Sequence, residues 1–189
     1  MSTQALIIVD LQNDFCPGGS LPVPDGDSIV PILNKLIETF SQAQRPIYAT
    51  RDWHPEGHCS FKAQGGIWPT HCVQHTHGAQ FHPDLQLPES ATIISKADTQ
   101  DRDAYSGFDG TPLEALLKEA GVDQIVVCGL ATDYCVKATV LDGLKAGLGV
   151  IVVEDAIRGV DVQPGDSQKA LAEMGQAGAT IALHNAISP

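Results

Sequence analysis

The chain has 189 residues and a formal charge of −12; 43% of its residues are hydrophobic and 18% charged. That apolar content is too high for a disordered chain, and the length suits one ordinary domain rather than a multidomain assembly. The acidity opposes phosphate backbones and anionic lipid, so neither a nucleic-acid nor a membrane partner is expected.

Apolar strands and helices alternate along the chain. Met1–Gln4 carries no basic region, so no secretory leader is expected, and Ala5–Val9 follows as a short strand. Even such runs fall far short of the ~18–20 residues that a membrane span needs. Ser28–Phe40 places Ile29, Ile32, Leu33, Leu36, Ile37 and Phe40 at helical spacing. Pro46–Thr50 and Thr92–Ser95 read as strands. A helix opens at Thr111-Pro112, with Thr111 as cap and Pro112 at the first helical position, and Gly121 closes it. Gln124–Cys128 is a strand. Thr132 or Asp133 caps a helix running to about Ala146, and Leu148–Glu154 is the next strand. A helix from Asp166 or Ser167 to about Gln176 and a strand over Ala179–Leu183 complete the series. This alternation predicts an α/β fold: a doubly wound, Rossmann-like six-stranded parallel sheet with helices on both faces. Residues 1–189 read as one domain, interrupted by a long insertion at about 51–90. That segment shows little periodicity and carries four Pro and six of the seven His. Loops this long are usually functional. The five cysteines are an odd number in a chain too large to need staples, which points to free thiols in a reducing compartment, the cytoplasm.

Open parallel sheets bind ligands at the carboxyl ends of their strands. Here those ends bring Asp10, Asp52, Lys96 and the Cys128–Cys135 segment to one rim. Cys135 falls at about the first turn of a helix, where free N–H groups and the helix dipole favour a thiolate and can hold an oxyanion. Cys128, inside a strand, reads as a core thiol. Asp10 is placed to accept the Cys135 proton, and Lys96 to stabilise the charged pair. Either could instead be an ordinary strand-end residue.

Six His lie between His54 and His82, where even scatter would put about one. Asp52 and His54, two apart on an extended segment, point the same way, and His71 could close the set. These three form an N/O site with open positions, suited to Zn, Fe or Mn. His58 and Ser60 are candidate extra or water-mediated ligands. A structural zinc site using Cys59 and Cys72 fits no regular spacing and ranks below this set. A polar surface loop with untethered imidazoles is the simplest alternative.

The blocks Ile8-Val9-Asp10-Leu11-Gln12-Asn13-Asp14-Phe15, Asp52-Trp53-His54-Pro55, Trp68-Pro69-Thr70-His71-Cys72, Lys96, Tyr105-Ser106-Gly107-Phe108 and Gly129-Leu130-Ala131-Thr132-Asp133-Tyr134-Cys135-Val136 resemble the nicotinamidases among the isochorismatase-like cysteine hydrolases. They come in the family's order and span nearly the whole chain. The resemblance implies an isochorismatase-like hydrolase fold, a catalytic triad of Asp10, Lys96 and Cys135, and metal ligands Asp52, His54 and His71. It also implies a cis peptide bond at Leu130-Ala131 beside an oxyanion hole formed by the amides of Ala131 and Cys135. Phe15, Trp68, Tyr105 and Tyr134 would pack the substrate ring. One divalent metal is implied, zinc foremost, with iron or manganese also compatible. The implied reaction is hydrolysis of nicotinamide to nicotinate and ammonia through a Cys thioester, in NAD salvage, with pyrazinamide as a surrogate; a homo-oligomer is compatible with it. Two other readings stay open: another amide or carbamoyl hydrolase on the same triad, and a non-enzymatic metal-binding or thiol redox module. No Gly-rich phosphate loop follows the first strand to support nucleotide binding.

Overall fold

The computed structural model describes residues 3–189; Met1 and Ser2, which belong to the leader reading, lie outside them. All six residues of β1 (Gln4–Val9) are buried, and alternate side chains face opposite sides of the sheet. Leu6 and Ile8 pack with Leu33, Leu36 and Phe40 of α1 (Val30–Gln42). Ala5, Ile7 and Val9 pack on the other side, with Leu113 and Leu117 of α2 (Leu113–Glu119), Val140 of α3 (Lys137–Lys145) and Met174 of α4 (Asp166–Gln176). Two apolar layers on one sheet explain why its strands read as continuous hydrophobic runs.

With β2 (Ile47–Asp52), β3 (Thr92–Lys96), β4 (Gln124–Leu130), β5 (Gly149–Arg158) and β6 (Thr180–Ala182), the sheet has the order β3-β2-β1-β4-β5-β6. Every pairing is parallel. This is the expected doubly wound arrangement. Strand order reverses between β1 and β4, which lie side by side in register from Gln4↔Gln124 to Val9↔Gly129. The crevice above their carboxyl ends is therefore the place for a site. The chain turns out of β1 at Asp10 (φ 47) and leaves β4 through a cis Leu130-Ala131 bond. Gly129 (φ 114) makes this close approach feasible, because a Cβ there would run into the Val9 carbonyl.

Several boundaries differ from the sequence reading. Strand β5 continues past Glu154 to Arg158, because Ala156 and Ile157 are buried and Ile157 and Arg158 pair with Gly129 and Leu130 of β4. Helix α2 starts at Leu113, not Pro112, and the Thr111 hydroxyl donates to Gly107 O at 2.5 Å. Neither Thr132 nor Asp133 caps a helix: Thr132–Val136 is a π-helical turn that leads into α3. The Asp133 carboxylate instead accepts the Val160 and Asp161 N–H groups at 2.9 and 2.8 Å. Between β2 and β3 the chain is irregular, with one 3-10 turn at Lys62–Gln64 and isolated bridges such as His54↔Val73.

Gly129→Ala should cost on the order of 3 kcal/mol, from positive-φ strain plus displacement of β1. A fall in the urea midpoint with an unchanged slope would show it; an unchanged midpoint would contradict the close approach of β1 and β4.

Candidate active site

Lys96 ends β3 in register with Asp52, and its side chain is wholly buried. Its Nζ lies 2.8 Å from Asp10 Oδ2, pairs with Asp52 Oδ1, and stands 3.5 Å from Cys135 Sγ. The Thr50 hydroxyl donates to Asp10 Oδ1 at 2.7 Å and orients that carboxylate. Asp10, Lys96 and Cys135 thus meet at the rim. Asp52 joins them, a contact that spacing alone did not reveal.

Two buried carboxylates here share one ammonium, and their proton affinities are driven apart. Burial raises Asp10, against the pull of Lys96 and with the aid of Asp52. Burial also acts to raise Asp52, but Lys96 and hydrogen bonds from His54 and His71 override it, holding that carboxyl well below the usual range. Burial disfavours the Lys96 charge, but Asp10 and Asp52 reverse this and hold the ammonium well above its ordinary range. Of the two carboxyls, Asp10 therefore has the higher proton affinity.

For Cys135 the structure corrects the expectation of a lowered pKa. Burial, opposed by Lys96 but reinforced by Asp10 and Asp52, pushes the thiol well above its ordinary value. The thiol form of Cys135 is favoured, and forming a thiolate there needs a base. The π-helical turn places that thiol: Ala131 O accepts the N–H groups of Tyr134 and Val136, both at 3.1 Å, and passes over the amide of Cys135 between them. The cis bond sets Ala131 directly before this turn.

Asp52, His54 and His71 are all buried, and their ligand atoms lie within 4.8 Å of one another. Each His binds a carbonyl through Nδ1, His54 to Ala97 at 3.1 Å and His71 to Pro69 at 2.7 Å. That leaves both Nε2 atoms facing Asp52 Oδ2, at 3.5 and 3.8 Å. Metal–nitrogen bonds of ~2.0–2.1 Å separate tetrahedral ligand atoms by ~3.3 Å, so the donor set fits a small divalent ion with modest closure. His58 does not join the set. Its Nδ1 contacts Ser60 Oγ at 2.8 Å, its Nε2 contacts Arg102 O at 3.0 Å, and its ring stacks on His54. Burial lowers its pKa, and with both ring nitrogens engaged elsewhere neither is turned to the Asp52/His54/His71 set. Ser60 faces the cavity beside Asp52, His54 and His71. Cys59 and Cys72 are free thiols outside this cluster.

The same cavity is lined by Phe15, Trp68, Tyr105 and Tyr134. The Trp68 Nε1–H donates to the Tyr105 hydroxyl at 3.0 Å, and Tyr134 packs edge-on to Trp68 at 5.1 Å. Phe15 tilts against His71 at 5.6 Å. The Cys135 thiol and the Asp52/His54/His71 set line this cavity together with the aromatic walls. Thr50 and Val160 were not singled out from the sequence: Thr50 reads as an ordinary strand residue, and Val160 reaches the cavity only through the extended β5 and its Asp133 tether.

A model of the isochorismatase domain matches residues 4–186. The chain belongs to the isochorismatase family. The nicotinamidase of Escherichia coli is 44% identical, over 96% of this chain and 95% of its own length. The crystal structure of a Pyrococcus horikoshii pyrazinamidase in complex with zinc superposes with a TM-score of 0.92 at 51% identity, covering 96% of this chain and 99% of that one. A structure from L. infantum in complex with nicotinate also gives 0.92, at 37% identity, covering 100% and 96% of the two chains.

Lys96→Met should leave two buried carboxylates facing each other and cost about 3–5 kcal/mol at neutral pH. Both carboxyls then titrate higher in the folded variant than in the unfolded chain, so the deficit should shrink as pH falls and they become neutral. Denaturant melts of wild type and variant at neutral and acidic pH test this; a deficit that grows on acidification would contradict it.

Proposed function

We infer that this protein hydrolyses nicotinamide to nicotinate and ammonia, and accepts pyrazinamide in the same way. The observation that carries this reading is the meeting of the Asp10–Lys96–Cys135 cluster, the Asp52/His54/His71 donor set and an aromatic wall in one cavity. The E. coli and P. horikoshii relatives support the substrate class, and the bound nicotinate of the L. infantum structure supports the product.

In this scheme Asp10 removes the Cys135 proton while Lys96 offsets the charge that appears on sulfur. The sulfur attacks the carboxamide carbon, and the amides of Ala131 and Cys135 hold the oxyanion. As the intermediate collapses, Asp10 returns its proton to the leaving nitrogen, ammonia departs, and a thioester remains. Asp10 then deprotonates a water that attacks the thioester carbon. The C–S bond breaks, nicotinate leaves, and the proton returns from Asp10 to the sulfur. Phe15, Trp68, Tyr105 and Tyr134 bind the ring and exclude water. A divalent metal held by Asp52, His54 and His71, zinc foremost, supplies a fixed electrophile for the ring nitrogen.

The chain acts as one hydrolase domain in which the insertion at 51–90 brings the metal set and Trp68 to the rim. Among the described residues no helix is long and apolar enough to cross a membrane. With a charge of −12 and free cysteines, the reading favours a cytoplasmic enzyme of NAD salvage that takes a small-molecule substrate and binds neither nucleic acid nor membrane.

Ammonia release from nicotinamide, with metal content assayed on the same sample, tests the reading. Wild type should turn over and Cys135→Ala should not; metal-replete protein inert toward nicotinamide would redirect the triad to another amide. His54→Ala should weaken both metal retention and substrate binding, and full activity without metal would remove His54 from the ligand set. The acid limb of kcat/KM should follow ionisation of Asp10 and lie above the ordinary 3.8, because activity requires the carboxylate and burial raises its pKa. Asp10→Asn should lose most of the rate and that limb with it; a near-normal kcat would exclude Asp10 as the base.

A further inference from the structure

We propose that Gln12 is a positioning residue for the metal centre, its carboxamide standing in for a strand residue that the sheet lacks beside Asp52. The register of β1 against β2 ends at Ile8↔Ala49, and the last backbone bond, from Asp10 N to Thr50 O, spans 3.2 Å. Strand β2 continues to Asp52, which pairs with Lys96 of β3 on its other side. The Asp52 peptide thus has a neighbour on one edge and none on the β1 edge.

Gln12 fills that edge and is wholly buried. Its Oε1 accepts the Asp52 N–H at 2.8 Å, and its Nε2 donates to Asp52 O at 2.7 Å. This two-way exchange is what an adjacent strand would supply. The second Nε2 hydrogen reaches Ala79 O at 2.9 Å and ties the insertion to the same node. The Gln12 backbone is itself held, by its N–H donating to Asp10 O at 2.8 Å and by a bridge to Phe81. An acid loses both donors, a hydrocarbon loses every bond, and Asn is one methylene too short.

The Asp52 side chain has a demanding task. Its Oδ1 pairs with Lys96, while its Oδ2 faces both Nε2 atoms, so a small rotation of the peptide upsets both. Without Gln12 the buried Asp52 N–H and C=O lose their partners on that edge, and the peptide is no longer held at one angle. Groups that orient metal ligands in this way typically change metal affinity 10–100-fold when removed.

This inference rests on the reading that Asp52, His54 and His71 hold the metal, so the test carries a control for that reading. Wild type, Gln12→Met, Gln12→Glu and Asp52→Ala are stripped of metal. Each is titrated with zinc against a chromophoric chelator and melted with and without zinc. Both Gln12 variants should bind zinc 10–100-fold more weakly than wild type, with a smaller zinc-induced rise in Tm and a cooperative metal-free melt. Zinc affinity within about twofold of wild type in both Gln12 variants, beside a lost affinity in Asp52→Ala, would overturn the role of Gln12 alone. Wild-type affinity in Asp52→Ala would overturn the ligand set and the proposal with it. Gln12 variants that stay unfolded at saturating zinc would make Gln12 a core residue rather than a positioning one.

Discussion

The Lys96 ammonium is the constraint on which the site depends. Two carboxylates and a thiol lie against it in a buried region, and the two carboxylates could not both stay ionised there without a cation. It also couples the two halves of the site. Asp10 and Cys135, the base and nucleophile of the proposed scheme, lie on one side; Asp52 turns its other oxygen to the histidines on the opposite side. Burial favours the neutral form of both groups, raising the Asp10 carboxyl and the Cys135 thiol above their ordinary values, so Asp10 is a stronger base than an exposed carboxylate.

The fold supplies this cluster through the reversal of strand order. Because β1 and β4 are neighbours, Asp10 and the turn bearing Cys135 emerge side by side. Because β3 lies two strands from β1, Lys96 must reach back across the end of β2, and there it meets Asp52. A side chain as long as lysine is needed to span that distance while staying buried. The insertion between β2 and β3 leaves the sheet at this point and returns His71 and Trp68 to the same rim.

Much of this was legible in the sequence. Apolar runs of five or six residues between amphipathic segments, with Gly at helix ends, gave the order and type of the six strands and the long helices. Asp52 and His54 could be paired because alternation on an extended segment puts them on one face, and the strand-end rule gathered Asp10, Lys96 and Cys135. What could not be read was set by tertiary contact. The π-helical turn depends on which amides Ala131 O collects, and Thr132-Asp133-Tyr134-Cys135-Val136 looks like any helix start. The extension of β5 depends on burial of Ala156 and Ile157 beside β4. Spacing left His58 only a candidate extra ligand, and its two nitrogens are bonded to Ser60 and Arg102, contacts between segments that the sequence does not display. The raised Cys135 pKa follows from burial outweighing the pull of Lys96, and burial is not a property of the local sequence.

The central claim is that Cys135, activated by Asp10 beside Lys96, carries the acyl group. The most direct measurement is rapid acid quenching of the enzyme during turnover of nicotinamide, followed by mass spectrometry of the peptide bearing Cys135. An acyl adduct on Cys135 that forms and decays at rates compatible with turnover is the predicted result. Sustained turnover with no adduct on Cys135, with an adduct on another cysteine, or with one that decays too slowly for turnover would contradict the account.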